Sequence, residues 1–143
     1  MSDLVIDASV AVKWVIEEEG TAQALALRGR ALAAPDLLIA ECANILWKKV
    51  RRNELSEREA AFAGGLLARA DIELVAMRPY LETAVRIALA LDHPAHDRVY
   101  IALAEAEGLR LVTADSTLVR TALGRYAGRV LGLTDAATGP DEL

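Results

Sequence analysis

Leu4, Val5 and Ile6 form a short apolar run that stops at Asp7, a pattern suited to a strand buried on both faces of a parallel sheet. Ala11 to Ile16 reads as the start of a helix. Thr21 to Leu32, rich in Ala and Leu, reads as a longer one that Ala33, Ala34 and Pro35 bring to an end. From Asp36 a further helix sets Leu38, Cys42, Ile45 and Leu46 on one apolar stripe and runs out in Lys48, Lys49, Arg51 and Arg52, whose charge complements the helix dipole. Ser56 with Glu59 three positions on is a capping-box signature, opening a helix to about Arg69.

Ile72 to Val75 reads as a second strand. Leu81, Ala84, Val85, Ala88 and Leu89 fit the helical template in full, and Pro94 punctuates the end of that helix. Val99 to Ala106 is apolar almost all round, as in a helix packed between neighbours, with Gly108 as its cap. Leu109, Leu111 and Val112 make a third strand running to Asp115. A short helix from Ser116 to Leu123 and an edge strand at Val130 and Leu131 follow, before a loose tail over residues 134–143. Strands alternating with helices predict an α/β domain with a mostly parallel sheet over residues 1–133.

Composition narrows the function. With 54% hydrophobic and 26% charged residues the chain is a packed globule, and 143 residues are enough for one core. The single cysteine, Cys42, excludes an internal disulfide framework and a Cys-based zinc cluster, and suits a reducing compartment. No apolar stretch approaches a membrane span, and Met1, Ser2 and Asp3 carry no basic leader, so the expected location is the cytoplasm. Sixteen Lys and Arg against 21 Asp and Glu leave a net charge of −5, with 4% aromatics. Such a chain lacks the broad basic footprint and stacking platforms of most single-strand binders. If it meets nucleic acid, a bound cation has to supply positive charge.

Ligands in parallel α/β sheets gather beyond the carboxyl ends of the strands, and Asp7 and Asp115 both follow strands there. Taken singly, each reads equally well as a helix cap. Glu41 flanks the apolar stripe of its helix, where a carboxylate needs a salt bridge, with Lys13 or an Arg, or a cation. Asn44 and Lys48 continue that column, Asn44 as a ligand-orienting group or a backbone partner. Asp97 sits near a helix start, where capping alone explains it. His93 and His96 read better as helix-start residues than as ligands for a softer metal. Lys48, Lys49, Arg51 and Arg52 read as a solvated helix end rather than an RNA grip, and Trp14 and Trp47 as core or interface anchors.

The segments Val5-Ile6-Asp7-Ala8-Ser9, Pro35-Asp36-Leu37-Leu38-Ile39-Ala40-Glu41-Cys42-Ala43-Asn44, His96-Asp97-Arg98-Val99-Tyr100-Ile101-Ala102-Leu103-Ala104 and Leu111-Val112-Thr113-Ala114-Asp115, in this order, resemble the PIN-domain family. More narrowly they resemble VapC-type toxin ribonucleases of bacterial toxin–antitoxin pairs. The resemblance implies a three-layer α/β/α fold, family acids at Asp7, Glu41, Asp97 and Asp115, and supporting hydroxyls at Ser9 and Thr113. His96-Asp97-Arg98 departs from the common Tyr-Asp-Ala-like triplet but keeps the acid. The resemblance also implies an RNA substrate, a cognate VapB-like antitoxin and a homodimer.

Four converging carboxylates repel one another and call for a hard divalent cation, and all-oxygen ligation selects Mg²⁺, with Mn²⁺ as substitute, over zinc. The expected chemistry is hydrolysis of RNA phosphodiester bonds by metal-activated water, with Asp7, Glu41 and Asp97 holding one ion and Asp115 completing that site or a second. Two other readings compete. One is a receiver-like phosphoacceptor domain, which needs a late-strand Lys where this chain has only Lys13, Lys48 and Lys49. The other is a non-catalytic interaction module. No P-loop pattern occurs.

Overall fold

The computed structural model describes residues 2–92, 98–122, 124, 126 and 128–136. Leu4–Ile6 is strand β1, all three residues buried, as the apolar run predicts. Helix α1 (Ala8–Ala11) follows at once and tightens into a 3-10 turn at Val12–Trp14, so the chain turns helical directly behind Asp7 and earlier than expected. Helix α2 covers only Thr21–Ala26, and its N-cap Gly20 has φ +89°.

Leu32–Pro35 is strand β2, which corrects the expectation of a helix running to Leu32. Two alanines and a proline carry almost no strand propensity. All four residues are buried nonetheless, and pairing with β1 on one side and with β3 (Glu73–Val75) on the other overrides local preference. The β1–β2 register is set at Leu4 with Leu32 and Val5 with Ala33, so the N–H that Pro35 lacks falls beyond that ladder.

Helix α3 (Leu37–Arg51) buries Leu38, Cys42 and Leu46, the expected stripe, and ends in its basic turn. Helix α4 (Glu57–Ala68) opens on the full capping box: Glu59 N–H donates to Ser56 Oγ at 3.0 Å, and Ser56 N–H to Glu59 Oε1 at 2.9 Å. Ser56→Ala should therefore cost about 1 kcal/mol, read as a lower denaturation midpoint with an unchanged slope.

A 3-10 turn at Arg78–Tyr80 leads into helix α5 (Leu81–Leu91), closed by Asp92 in the left-handed conformation. Its core contacts come from Ala84 and Ile87, while Leu81, Val85 and Leu89 are exposed, so the predicted stripe is rotated about the helix relative to the core. Helix α6 (Arg98–Glu107) is buried from Arg98 to Ala104, as its all-round apolar sequence requires, and Gly108 follows at φ +66°. Strand β4 (Arg110–Thr113), helix α7 (Ser116–Ala122), strand β5 (Val130–Gly132) and helix α8 (Leu133–Ala136) complete the described chain. Residues 134–136, expected to begin a loose tail, lie in α8, where Ala136 is buried.

The sheet order is β3-β2-β1-β4-β5 and every pairing is parallel. Helical crossovers join these parallel strands and the helices cover both faces of the sheet, giving three layers. Helix α1 packs on α3 and α3 on α4, whereas α5 packs on α6, which lies across β1, β2 and β4. Burial of Ile6, Ile101, Leu103 and Leu111 at this junction contributes about 1.5–3 kcal/mol each. This order differs from the 2-1-3-4-5 arrangement of receiver-like domains, which removes structural support from the phosphoacceptor reading. Strand order reverses between β1 and β4, so the crevice beyond their carboxyl ends is the topological switch point. The candidate acids were expected there.

Candidate active site

Asp7 stands at the carboxyl end of β1 and is buried. It occupies the N-cap position of α1, yet its side chain makes no cap hydrogen bond. Its Oδ1 instead accepts from Ser9 Oγ at 2.5 Å, and Ser9 Oγ in turn accepts from Ala114 N–H at 3.0 Å. Thr113 Oγ1 lies 3.5 Å from Ser9 Oγ and accepts from Asp115 N–H at 3.1 Å. Two short hydroxyl side chains thus stitch the end of β1 to the end of β4 and fix the Asp7 carboxylate between them.

Burial pushes the Asp7 carboxyl up to about 6; the Ser9 and Thr113 hydroxyls and the Val10 N–H pull the other way, and the charge of Glu41 raises it further. Asp115 behaves differently. It is exposed, and its Oδ1 caps α7 by accepting from Thr117 N–H at 2.9 Å and Leu118 N–H at 3.3 Å. Capping therefore accounts for Asp115, whereas the Asp7 carboxylate is held chiefly by hydroxyls.

Glu41 lies in the second turn of α3, half-buried, and accepts a hydrogen bond from the Tyr100 hydroxyl of α6. Lys13, considered as a partner for Glu41, is engaged elsewhere: its Nζ meets Glu18 Oε1 at 3.1 Å and Glu19 O at 2.7 Å. Burial alone would raise the Glu18 carboxyl, but hydrogen bonds from Lys49 and Lys13 outweigh it and hold the group below its usual value. Lys49 is thereby absorbed into structure, and Arg51 lies over the Trp47 ring, 5.8 Å from its centroid. Half of the basic run at the end of α3 thus has a partner on the protein.

Tyr100 is the residue that sequence reasoning missed. It is buried in the apolar helix α6, and burial, followed by its bond to Glu41, raises its phenol far above the ordinary value. It is a permanent donor. The available signal was that Tyr100 carries the one side-chain hydroxyl in the Val99–Ala106 run, level with a Glu in need of a partner. Cys42, next to Glu41, is pushed up to about 12 by burial and by the charges of Glu41 and Asp7. A thiol so placed stays protonated and is no nucleophile.

Asp7 and Glu41 are therefore brought together, with Ser9, Thr113 and Tyr100 as their hydroxyl partners. Asn44 is exposed on α3, one turn beyond Glu41. Asp97, His93 and His96 lie outside the described residues. Among the described residues, no three His, Cys, Asp or Glu side chains group closely enough to hold a metal ion. Asp7 and Glu41 form a pair, and Asp115 is not joined to it. Trp14 packs against the core and donates to Ala24 O at 2.8 Å, whereas Trp47 is 58% exposed, a surface anchor and not a core one.

A family model described as PIN domain matches residues 4–123. The chain belongs to the PIN-domain family. It falls among VapC-type PIN domains: ribonuclease VapC3 of Pyrobaculum aerophilum is 35% identical over 122 residues, covering 80% of this chain and 91% of that one. Ribonuclease VapC12 of Mycobacterium tuberculosis is 29% identical over 119 residues, covering 82% and 91%. Among solved structures, PAE2754 from P. aerophilum superposes with a TM-score of 0.74 at 22% identity, covering 95% of this chain and 93% of that one. M. tuberculosis VapC20, a sarcin-ricin loop cleaving toxin, superposes at 0.61 with 13% identity, covering 80% and 91%. At those identities the two structures bear on the PIN fold alone.

Proposed function

We propose that this PIN domain is a VapC-type endoribonuclease, the toxin of a toxin–antitoxin pair, that hydrolyses RNA phosphodiester bonds with Mg²⁺ or Mn²⁺. The observation that carries the reading is the Asp7 carboxylate: buried, held chiefly by hydroxyls, and set beside a second carboxylate at the switch point. Burying a charge this way is unfavourable unless a cation or a proton offsets it. The donors are all oxygen, which fits a hard divalent ion. Asp7 and Glu41 would hold it, joined by Asp97, the residue before Arg98 in the sequence, with Asp115 completing that site or a second one.

When bound, such an ion lowers the pKa of a water molecule and neutralises charge on the phosphate. The chain's own part is orientation. Ser9 and Thr113 fix the Asp7 oxygens, Tyr100 fixes Glu41, and apolar α6 keeps water from the inner side of both carboxylates. Asn44, at the outer end of the same column, would meet the substrate or its water shell.

An antitoxin and a second copy of the chain are the partners in this reading. Two exposed apolar faces offer places for them. One carries Ile39, Trp47, Phe62 and Leu66 on α3 and α4; the other carries Leu81, Val85 and Leu89 on α5. No helix among the described residues is long and apolar enough to cross a membrane; the location that goes with this reading is the cytoplasm.

The purified protein should cleave RNA when Mg²⁺ or Mn²⁺ is added and leave it intact in excess EDTA, with end-labelled products reporting the cut sites. Cleavage that persists in EDTA would remove the metal from the reading. RNA left intact under every divalent-ion condition would remove the nuclease.

A further inference from the structure

We infer that the cleft over the carboxyl ends of β4 and β5 is a subsite for the nucleotide next to the cleaved phosphate, an inference that rests on the nuclease reading above. The cleft encloses about 550 Å³, within the range of small-molecule sites. Thr113 and Ala114 line it, and these are the residues whose hydroxyl and N–H meet Ser9 beside Asp7. Thr113 is in register with Gly132, the next strand outward, and adjacent strands lie about 4.8 Å apart. The cleft therefore begins one strand from Asp7, within reach of a nucleotide whose neighbouring phosphate is at the carboxylate pair.

Its lining is bipolar. Arg120 of α7 is exposed and spends a donor on Thr117 Oγ1 at 3.3 Å, leaving most of its guanidinium fork for a phosphate. Lys13 also lines the cleft, and its contacts to Glu18 and Glu19 O leave one of three ammonium donors. Gly20 leaves room for that lysine, because a Cβ there would lie 3.2 Å from Lys13 Cε and 3.3 Å from a Leu133 methyl. Glu19 adds an acceptor to the ring, which suits base amino groups and ribose hydroxyls and repels a bare anion. Cations for a phosphate beside acceptors for sugar and base describe a nucleotide better than an isolated phosphate. In a chain of net charge −5, the few cations at the rim carry disproportionate weight.

The test uses the Asp7→Asn protein, in which RNA binding is read without cleavage, on a short single-stranded RNA across a salt series. Adding Arg120→Ala should weaken Kd about tenfold and reduce the slope of log K against log salt by about 0.7, the loss of one phosphate contact to a single strand. Arg120→Lys should restore the slope. Ser116→Leu, which fills the cleft without altering charge, should weaken binding and keep the slope. If Arg120→Ala and Ser116→Leu both match their parent in Kd and slope while the wild type cleaves the same RNA, the subsite is rejected and the nuclease stands. A wild type that neither cleaves the RNA nor, as Asp7→Asn, binds it overturns both.

Discussion

Asp7→Asn is expected to reduce RNA cleavage by about 100-fold or more and, in the same molecule, to raise the stability of the metal-free protein at pH 7. The activity loss follows from the loss of an anionic oxygen where the cation and phosphate would meet. The stability gain follows from the direction of the Asp7 shift. Its folded-state value is raised to about 6 by burial, so between about pH 4 and 6 the native state binds a proton that the unfolded chain has released. The Asp7 contribution is therefore fully favourable below about pH 4 and is lost as pH rises through 6.

At pH 7 that loss amounts to about 3 kcal/mol, and Asn, which keeps the shape and the acceptor for Ser9 without the charge, removes it. A gain of roughly 5–10 °C in Tm should result at pH 7 and shrink toward pH 4. Mg²⁺ should raise the Tm of the wild type and leave that of the variant nearly unmoved. Calorimetry at two pH values, with and without Mg²⁺, checks all of this. Equal melting of the two proteins at pH 7 would mean that the buried carboxylate costs nothing and has no need of a cation.

Tyr100→Phe carries the second large effect. The ring stays and continues to fill the core of α6, so the fold should survive; what goes is the donor to Glu41. A hydrogen bond to a carboxylate is worth about 1.5–3 kcal/mol, and loss of a group that orients a metal ligand typically costs 10–100-fold in affinity or rate. The Mg²⁺ concentration for half-maximal cleavage should rise by that factor, and the urea midpoint should fall by no more than the loss of one such hydrogen bond. Because the phenol is held well above its ordinary value, the wild-type contact survives at alkaline pH, and the variant's defect should be as large at pH 9 as at pH 7. A variant with wild-type metal dependence would make Tyr100 a packing residue only.

Much of this was legible in the chain. Apolar runs ending in Asp7 and Thr113–Asp115 placed two strands and their rims, and the Ser56–Glu59 box placed a helix start to the residue. β2 was not legible, because Leu32-Ala33-Ala34-Pro35 becomes a strand only by pairing on both sides within the sheet. The orientation of α5 was not legible either, since Leu81, Val85 and Leu89 satisfy the same periodicity as Ala84 and Ile87, and only the position of α6 decides which face is covered. The acids could be named from sequence, but their difference could not. Asp7 and Asp115 both precede helices, and burial together with the hydroxyls of Ser9, just behind β1, and Thr113, on the neighbouring β4, separates a carboxylate held among hydroxyls from one used as a cap.

The β1–β4 seam has a consequence during synthesis. Ser9 lies 104 positions from Thr113 and 105 from Ala114, and β1 has no neighbour on that side until β4 exists. At translation rates of about 5–20 residues per second, the amino-terminal strand waits roughly 5–20 seconds for the segment that shapes its carboxylate. On the proposed reading, a half-made polypeptide on the ribosome would have no assembled cutting centre, and the RNA that surrounds every nascent chain would be spared until nearly the whole of it has emerged.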